Sequence, residues 1–370
     1  MAPVYRCIKD HYETFVCVTA QHREMLDQVM EFFEVPAHRD LDIMSHNQTL
    51  TQVTTRVLDG VSASIQDIRP DLVFVHGDTT TAFVSALAAF YAHIPVGHVE
   101  AGLRTRRMDE PFPEEMNRRQ IGSLASLHFA PTARSRENLL AEAVPSESIT
   151  VTGNTAIDAL KLALRMPAVE QAPRMFRDGS RGVLVTAHRR ENFGPGMENI
   201  CRALLALKEA HADLHVVFPV HYNPNVRNTV ERLLAGQDRI TLIDPVDYAQ
   251  FVRLMNDCHL VITDSGGVQE EAPSLGKPVL VLRDCTERPE AVTAGTVRIV
   301  GTNTEAILKE AGRLLGDAKE YALMARAVNP YGDGRASQRI LWHLDRIFGT
   351  ETPGAVPAEF DPETMTGTHG

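Results

Sequence analysis

From Thr14 onward, short apolar runs alternate with stretches whose apolar positions recur at helical spacing. That alternation predicts parallel α/β architecture, because each buried strand needs a crossover helix before the next parallel strand can form. In the first half the strands expected are Thr14–Thr19, Asp71–His76, Pro95–Val99, Ser126–Ala130 and Ile149–Thr152, with helices over Gln52–Gln66, Thr80–His93 and Arg134–Glu142. A second set follows Arg181: Gly182–Thr186, Leu214–Val220, Arg239–Ile243, His259–Thr263, Pro278–Leu282 and Val297–Val300. Two Rossmann-like, doubly wound halves result. The polar, proline-bearing segment Pro167–Pro173 is expected to link them, giving an N-terminal domain over 1–166 and a C-terminal domain over 174–335. Beyond Asn303 the pattern is helical, over Thr304–Gly316, Ala318–Val328 and Ala336–Phe348. The last helix, within 336–349, carries Leu341, Trp342, Leu344 and Ile347 and is expected to pack back across the domains. In open parallel sheets ligands bind beyond the carboxyl ends of the strands, so two facing sheets would direct their tips into one cleft.

Composition sharpens this only in places. A length of 370 residues fits two domains, and 44% hydrophobic with 23% charged residues is ordinary for a globular chain. The formal net charge of -11 argues against sequence-independent binding to nucleic acid. Part of that charge lies at the end: no Lys or Arg follows Arg346, while Glu351, Glu359, Asp361 and Glu363 alternate with Pro, Gly and Thr. Residues 350–370 therefore read as a disordered acidic tail. The cysteines Cys7, Cys17, Cys201, Cys258 and Cys285 are odd in number and widely spaced, as reduced thiols in a cytoplasmic protein would be. No apolar run approaches the roughly 20 residues that span a bilayer, so neither a membrane nor nucleic acid is expected as a partner.

The candidate chemistry sits at the strand tips. In His259–Glu271 a buried strand runs into a helix through Ser265-Gly266-Gly267, which permits close backbone approach where unpaired N–H groups and the positive end of a helix suit a phosphate. Glu270 and Glu271 stabilise that helix start and can also accept hydrogen bonds from ribose hydroxyls. A capped turn without ligand explains the same residues. In the first domain, Asp78 follows a buried strand within His76-Gly77-Asp78-Thr79-Thr80-Thr81 and is either a helix cap, worth about 1 kcal/mol, or a reactive carboxylate. Glu100 ends a strand between Val99 and Ala101 and needs a partner or ligand to offset desolvation. Pro113 suits a first helical position and Glu114 and Glu115 its first turn. Asp78, Glu100 and Glu114 thus gather on one side of one sheet with Arg104, Arg118 and Arg119 among them, and such clusters can hold carboxyls at different pKa values, as acid and base roles require.

The second domain answers with His188-Arg189-Arg190, where the imidazole can donate a proton to a phosphate or can be a satisfied interface histidine. Phe251 could stack on a flat base or serve the core, and Arg288 follows another strand towards the same edge. No Gly-x-Gly-x-x-Gly follows a strand and no Gly-Lys-Ser/Thr loop appears; His98 and His188 lack metal-ligand spacing, and Ser265 lacks the nucleophile elbow. No cofactor and no metal are expected. Acid/base chemistry on a nucleotide-linked substrate remains.

Taken together, His76-Gly77-Asp78-Thr79, His98 to Thr105, Pro113-Glu114-Glu115-x-Asn117-Arg118, Thr152-Gly153-Asn154, His188 to Glu191, Thr263 to Glu271 and Thr286 to Glu290 resemble the bacterial UDP-N-acetylglucosamine 2-epimerases of the non-hydrolysing type. The resemblance implies a GT-B-like fold, a homodimer, and interconversion of UDP-N-acetylglucosamine and UDP-N-acetylmannosamine through 2-acetamidoglucal and UDP, for surface polysaccharide synthesis. It assigns acid/base roles to Asp78, Glu100 and Glu114 and gives His188 assistance to the leaving UDP. Arg118, Ser265, Gly266, Gly267 and Arg288 would hold phosphates, Glu271 the ribose and Phe251 the uracil region. Gln21, His22 and Arg23 match a stretch tied in some members to a second, activating substrate molecule, with Ala20 where glycine is usual. Members also begin with a strand and a Gly-Thr-Arg-Pro-Glu-Ala motif leading into Lys-Met-Ala-Pro-Val. Here Met1-Ala2-Pro3-Val4 opens a helical stretch, so Met1 is expected to be an internal methionine and this chain alone to be poorly soluble and inactive, through exposed sheet edges. A glycosyltransferase of the same build, a hydrolysing relative that releases N-acetylmannosamine and UDP, and a hinged binding protein are the competing readings.

Overall fold

The computed structural model describes residues 1–19, 23–43, 48–286, 288–350 and 358–364. The chain divides into two compact units, Met1–Ala159 with Tyr331–Asp361, and a second built on Leu160–Pro330. In chain order the first contains α1 (Ala2–Ile8), β1 (Cys17–Val18), α2 (Arg23–Phe32), β2 (Arg39–Asp40), α3 (Leu50–Ile68), β3 (Val73–His76), α4 (Thr80–Tyr91), β4 (Val96–Val99), α5 (Glu114–Leu124), β5 (Leu127–Ala130), α6 (Ala133–Ala141), β6 (Ile149–Val151) and the start of α7 (Thr155–Ala163). Strands β3, β4, β5 and β6 form a parallel sheet in that order, with His76 opposite Val99. A separate parallel pair joins β1 to β2. The expected Thr14–Thr19 strand shrinks to two residues, and β2, Arg-Asp, offers no apolar signal from which it could be foreseen.

The second unit continues with α8 (Pro167–Gln171), β7 (Arg181–Thr186), α9 (Pro195–Ala210), β8 (Leu214–Pro219), α10 (Pro224–Leu234), β9 (Ile240–Ile243), α11 (Tyr248–Asp257), β10 (Leu260–Thr263), α12 (Gly266–Glu271), β11 (Val279–Val281), α13 (Pro289–Thr293), β12 (Val297–Ile299), α14 (Thr304–Gly316) and α15 (Ala318–Ala325). Its six parallel strands run β12-β11-β10-β7-β8-β9. The order reverses direction between β7 and β10, which makes their carboxyl ends the point where a doubly wound sheet opens to ligands. Val183, Val185, Val216, Phe218, Leu260 and Ile262 are buried in its core, so these tips stand on a rigid base.

Two expectations change, for the segment before β7 and for the tail, and the last helix finds its place. The segment Pro167–Pro173, expected to link the domains, belongs to the second unit: Pro167 starts α8, Val169 is buried, and Arg253 donates to the Glu170 carbonyl at 3.1 Å, fastening the turn there. The last helix, α16 (Ala336–Phe348), packs within the first unit, where Ile340, Leu341 and Leu344 bury against Val4 and Ile8 of α1. Asp158 caps it from α7, accepting from the Ala336 and Ser337 N–H groups at 3.1 and 2.8 Å; Ile347 stays exposed. The tail is not disordered throughout. Phe360 is 3% exposed, donates its N–H to the Val151 carbonyl at 2.9 Å, and lies under the Arg339 guanidinium, which also donates to the Ala358 carbonyl at 2.7 Å, so this stretch is anchored along β6.

Candidate active site

In the first unit, the tip of β3 is built around Gly77, whose φ of +68° lets the chain turn sharply after His76. Thr79 then caps α4, its hydroxyl accepting from the Ala82 N–H at 3.1 Å. The cap role open to Asp78 is therefore filled by its neighbour, and the Asp78 carboxylate instead takes the Arg118 guanidinium. Asn117 donates to the Asp78 carbonyl at 2.8 Å, tying the first turns of α5 to this tip. On the adjacent strand, Glu100 follows β4 with φ +65°, an uncommon conformation for a residue with a side chain and one that clusters at functional sites. Its carboxylate lies 3.4 Å from His76 Nε2. Glu114, the first residue of α5, is half-buried and makes no hydrogen bond or ion pair among the described residues.

Glu115, which sequence reasoning treated only as helix-start charge, proves to be the anchor of this group. Its side chain is fully buried and accepts from the Thr105 and Arg106 N–H groups at 3.0 and 3.1 Å, from Arg118 at 3.1 Å and from Arg119 at 3.3 Å. Burial pushes its pKa up, but the two backbone donors and the Arg118 charge outweigh it and hold the carboxyl below its ordinary value. Of the three arginines expected here, Arg104 is committed to Glu142 by a two-pronged pair at 2.8 and 2.6 Å, and Arg119 rests on Glu115. Only Arg118 reaches Asp78, and its buried Nε has no hydrogen-bond partner among the described residues. His98, on β4, is buried and driven down to about 3 by desolvation; as a neutral ring it donates from Nε2 to the Gly77 carbonyl at 2.8 Å and braces the two tips.

In the second unit, β7 and β10 are neighbours with Thr186 opposite Thr263, so His188 and Asp264 emerge side by side. Asp264 is wholly buried and gathers the β7 tip: its Oδ2 accepts from the His188 and Arg189 N–H groups at 2.8 Å each and from Asn192 Nδ2 at 3.0 Å. The His188 ring stacks on His221 with centroids 5.6 Å apart. Burial, partly countered by Asp264, holds its pKa below the usual histidine value.

Beyond β10, Ser265 caps α12 through its backbone and its hydroxyl makes no hydrogen bond among the described residues. The first N–H groups of α12 have no partner inside the helix. Gly266 leaves room for its neighbour: a Cβ there would come within 2.5 Å of the Arg288 guanidinium and push it aside, whereas Gly267 faces open space. Arg288 is held by Glu270, Nε to Oε1 at 2.5 Å. Glu271, partly buried, is pushed up to about 7 by burial and then by the adjacent Glu270 charge. Its charge also reaches Tyr248 at the start of α11, the helix that carries half-buried Phe251. The unit thus brings together His188 with Asp264, and Gly266 with Glu270 and Arg288. Gln21 and His22 lie outside the described residues, and Arg23 begins α2 with no side chain described. Among the described residues no three of His, Cys, Asp or Glu meet as a metal-holding set, and no helix is long and apolar enough to cross a membrane.

The sequence profile of the UDP-N-acetylglucosamine 2-epimerases matches residues 6–345. The chain is 53% identical over 358 residues to the UDP-N-acetylglucosamine 2-epimerase of Escherichia coli K12, covering 92% of this chain and 93% of the relative. The Salmonella typhimurium enzyme of that name is 53% identical over 355 residues, covering 93% and 94%. In three dimensions the chain matches the crystal structure of UDP-GlcNAc 2-epimerase from Neisseria meningitidis bound to UDP-GlcNAc, with a TM-score of 0.83 and 49% identity over 94% of this chain and 96% of that one. Its fold is of the same GT-B-like α/β class.

Proposed function

The chain belongs to the UDP-N-acetylglucosamine 2-epimerase family, and we propose that it interconverts UDP-N-acetylglucosamine and UDP-N-acetylmannosamine by inverting C2 of the sugar. The observation that carries the reading is the set of carboxylates at the β3 tip, the β4 tip and the start of α5, Asp78, Glu100 and Glu114, with Thr79 rather than Asp78 serving as the helix cap. A binding module has no use for three such groups, and a glycosyltransferase needs no acid and base on the two faces of C2. One carboxylate takes the C2 proton, the C2–H pair forms the C1=C2 bond of 2-acetamidoglucal, and the C1–O pair leaves with UDP. A second group returns a proton from the opposite face as UDP re-adds. Acid/base assistance of this kind is commonly worth about 10²–10⁴-fold.

In this reading Arg118 holds Asp78 in place, and its Nε is the donor left for a phosphate. Ser265, Gly266, Gly267 and Arg288 hold the diphosphate, Glu271 the ribose and Phe251 the uracil side, while His188 protonates the departing oxygen. The cysteines are all free thiols, which supports a reducing, cytoplasmic setting; a homodimer completes the proposal. Incubation with UDP-N-acetylglucosamine followed by anion-exchange chromatography tests it. Accumulation of UDP-N-acetylmannosamine supports epimerisation, whereas free N-acetylmannosamine with UDP would assign the hydrolysing reaction instead.

A further inference from the structure

The junction of β7 and β10 contains one carboxylate whose two oxygens do different work. Asp264 has no solvent exposure, and its Oδ2 alone accepts the three donors that shape the β7 tip. That oxygen accounts for the local structure. Oδ1 makes no hydrogen bond among the described residues, although a buried carboxylate oxygen without a donor is costly. The polar atom facing it is His188 Nδ1, 3.4 Å away. Hydrogen bonds of catalytic groups are often long before substrate binds and tighten in the complex. The imidazole is not closed off, since the His188 side chain is 38% exposed. Its face is braced by the ring of His221, tilted by only 16°.

We propose that Asp264 is a positioning residue for His188, holding the imidazole with its Nδ1–H towards Oδ1 so that Nε2 is the atom that exchanges a proton with the departing diphosphate. This rests on the role given to His188 above. In the elimination the imidazolium gives its Nε2 proton to the leaving oxygen as the C1–O bond breaks, and the neutral ring left behind carries its proton on Nδ1. When UDP re-adds, Nε2 takes the proton back. A negative oxygen at Nδ1 favours the imidazolium in both directions. The charged and titratable groups that act on His188 are Asp264, which raises its proton affinity, and Arg189 and His221, which lower it. Asp264 is therefore the group that counters Arg189 and His221.

The decisive substitution is Asp264→Asn. Its amide oxygen can replace Oδ2 and accept the same three N–H donors, while the amide nitrogen faces Nδ1 as a donor and forces the proton onto Nε2. The same inversion of tautomer in a Ser-His-Asp protease costs about 10⁴ in turnover. The test combines long-range ¹H–¹⁵N NMR of histidine-labelled protein, with the His188 signal assigned by its loss in His188→Gln, and kinetics on UDP-N-acetylglucosamine. The wild type is expected to show the Nδ1–H form and Asp264→Asn the Nε2–H form. With that change kcat should fall by at least ~10²-fold, the affinity for UDP should move less than about threefold, and the alkaline limb of kcat should shift to lower pH. An Nε2–H tautomer in the wild type overturns the inference, and so does an Asp264→Asn protein with unchanged tautomer and turnover within about threefold of wild type. Should Asp264→Asn not fold, the wild-type spectrum alone decides. A wild type with the Nδ1–H form that leaves UDP-N-acetylglucosamine unchanged supports the pairing and overturns the assigned reaction, so the two failures are distinct.

Discussion

Arg118 donates to the Asp78 carboxylate across the junction of β3 and α5, and the same guanidinium rests on buried Glu115 at 3.1 Å. A fork held at both ends fixes the direction in which Asp78 points, as reactive groups require when misplacement by an ångström costs about 10²-fold. Asp78→Asn, Glu100→Gln and Glu114→Gln should each lower kcat by about 10²–10⁴-fold while the dissociation constant for UDP, measured by calorimetry, stays near wild type. Parallel losses in binding and turnover would make these residues substrate ligands.

Glu115 should link catalysis to acid stability. Removing one partner of a buried charged network costs on the order of 3 kcal/mol, so Glu115→Gln should unfold at lower urea at pH 7. Because the folded carboxyl lies below its ordinary value, its contribution is complete above the unfolded pKa of about 4.3 and is lost as pH falls through the lower folded value. The difference between wild type and variant should therefore shrink below about pH 4. An equal difference at low and neutral pH would contradict the network.

Glu271 has the opposite sign. Its folded pKa of about 7 means that the unfolded chain loses this proton first, so stability declines as pH rises from about 4.3 to 7 and stays reduced above. Glu271→Gln should raise the melting temperature at pH 8 relative to wild type, with little change at pH 4.5, while weakening UDP binding by about tenfold through the lost ribose contact. A variant that is less stable at pH 8 would show that Glu271 serves the fold.

Gly266 and Arg288 give a separation of binding from stability. An added methyl would meet the far end of the Arg288 side chain at 2.5 Å, so Gly266→Ala should displace Arg288 from Glu270 and leave the core of the sheet alone. KM for the UDP-sugar should rise about tenfold with the melting temperature almost unchanged. A normal KM would remove Arg288 from the diphosphate site.

Much of this was legible in the sequence because strand tips combine an apolar run with an abrupt polar residue, as at Val75 to Asp78 and Ile262 to Ser265. What hid was partnership. Glu114 and Glu115 are the same residue type in the same first turn, yet one helical step of about 100° buries Glu115 and leaves Glu114 half-exposed. Asp264 binds His188 across 76 positions of sequence, and only the strand order that places β7 beside β10 brings them together. Asp78 reads as a cap or a reactive group from its position alone, and only the Ala82 N–H, which donates to Thr79, removes the cap role from it. The α8 turn and the Phe360 anchor were missed for a simpler reason: Pro, Ala and Glu read as linker or tail when the surface they cover is unknown.

The central claim is that a carboxylate group of the first unit makes and breaks the C2–H bond. Incubating the protein with UDP-N-acetylglucosamine in heavy water and following the sugar by NMR tests it most directly. Deuterium at C2 of newly formed UDP-N-acetylmannosamine, with exchange abolished in Asp78→Asn, Glu100→Gln or Glu114→Gln, is the predicted result. Well-folded protein that leaves C2 unlabelled and forms no epimer would contradict it.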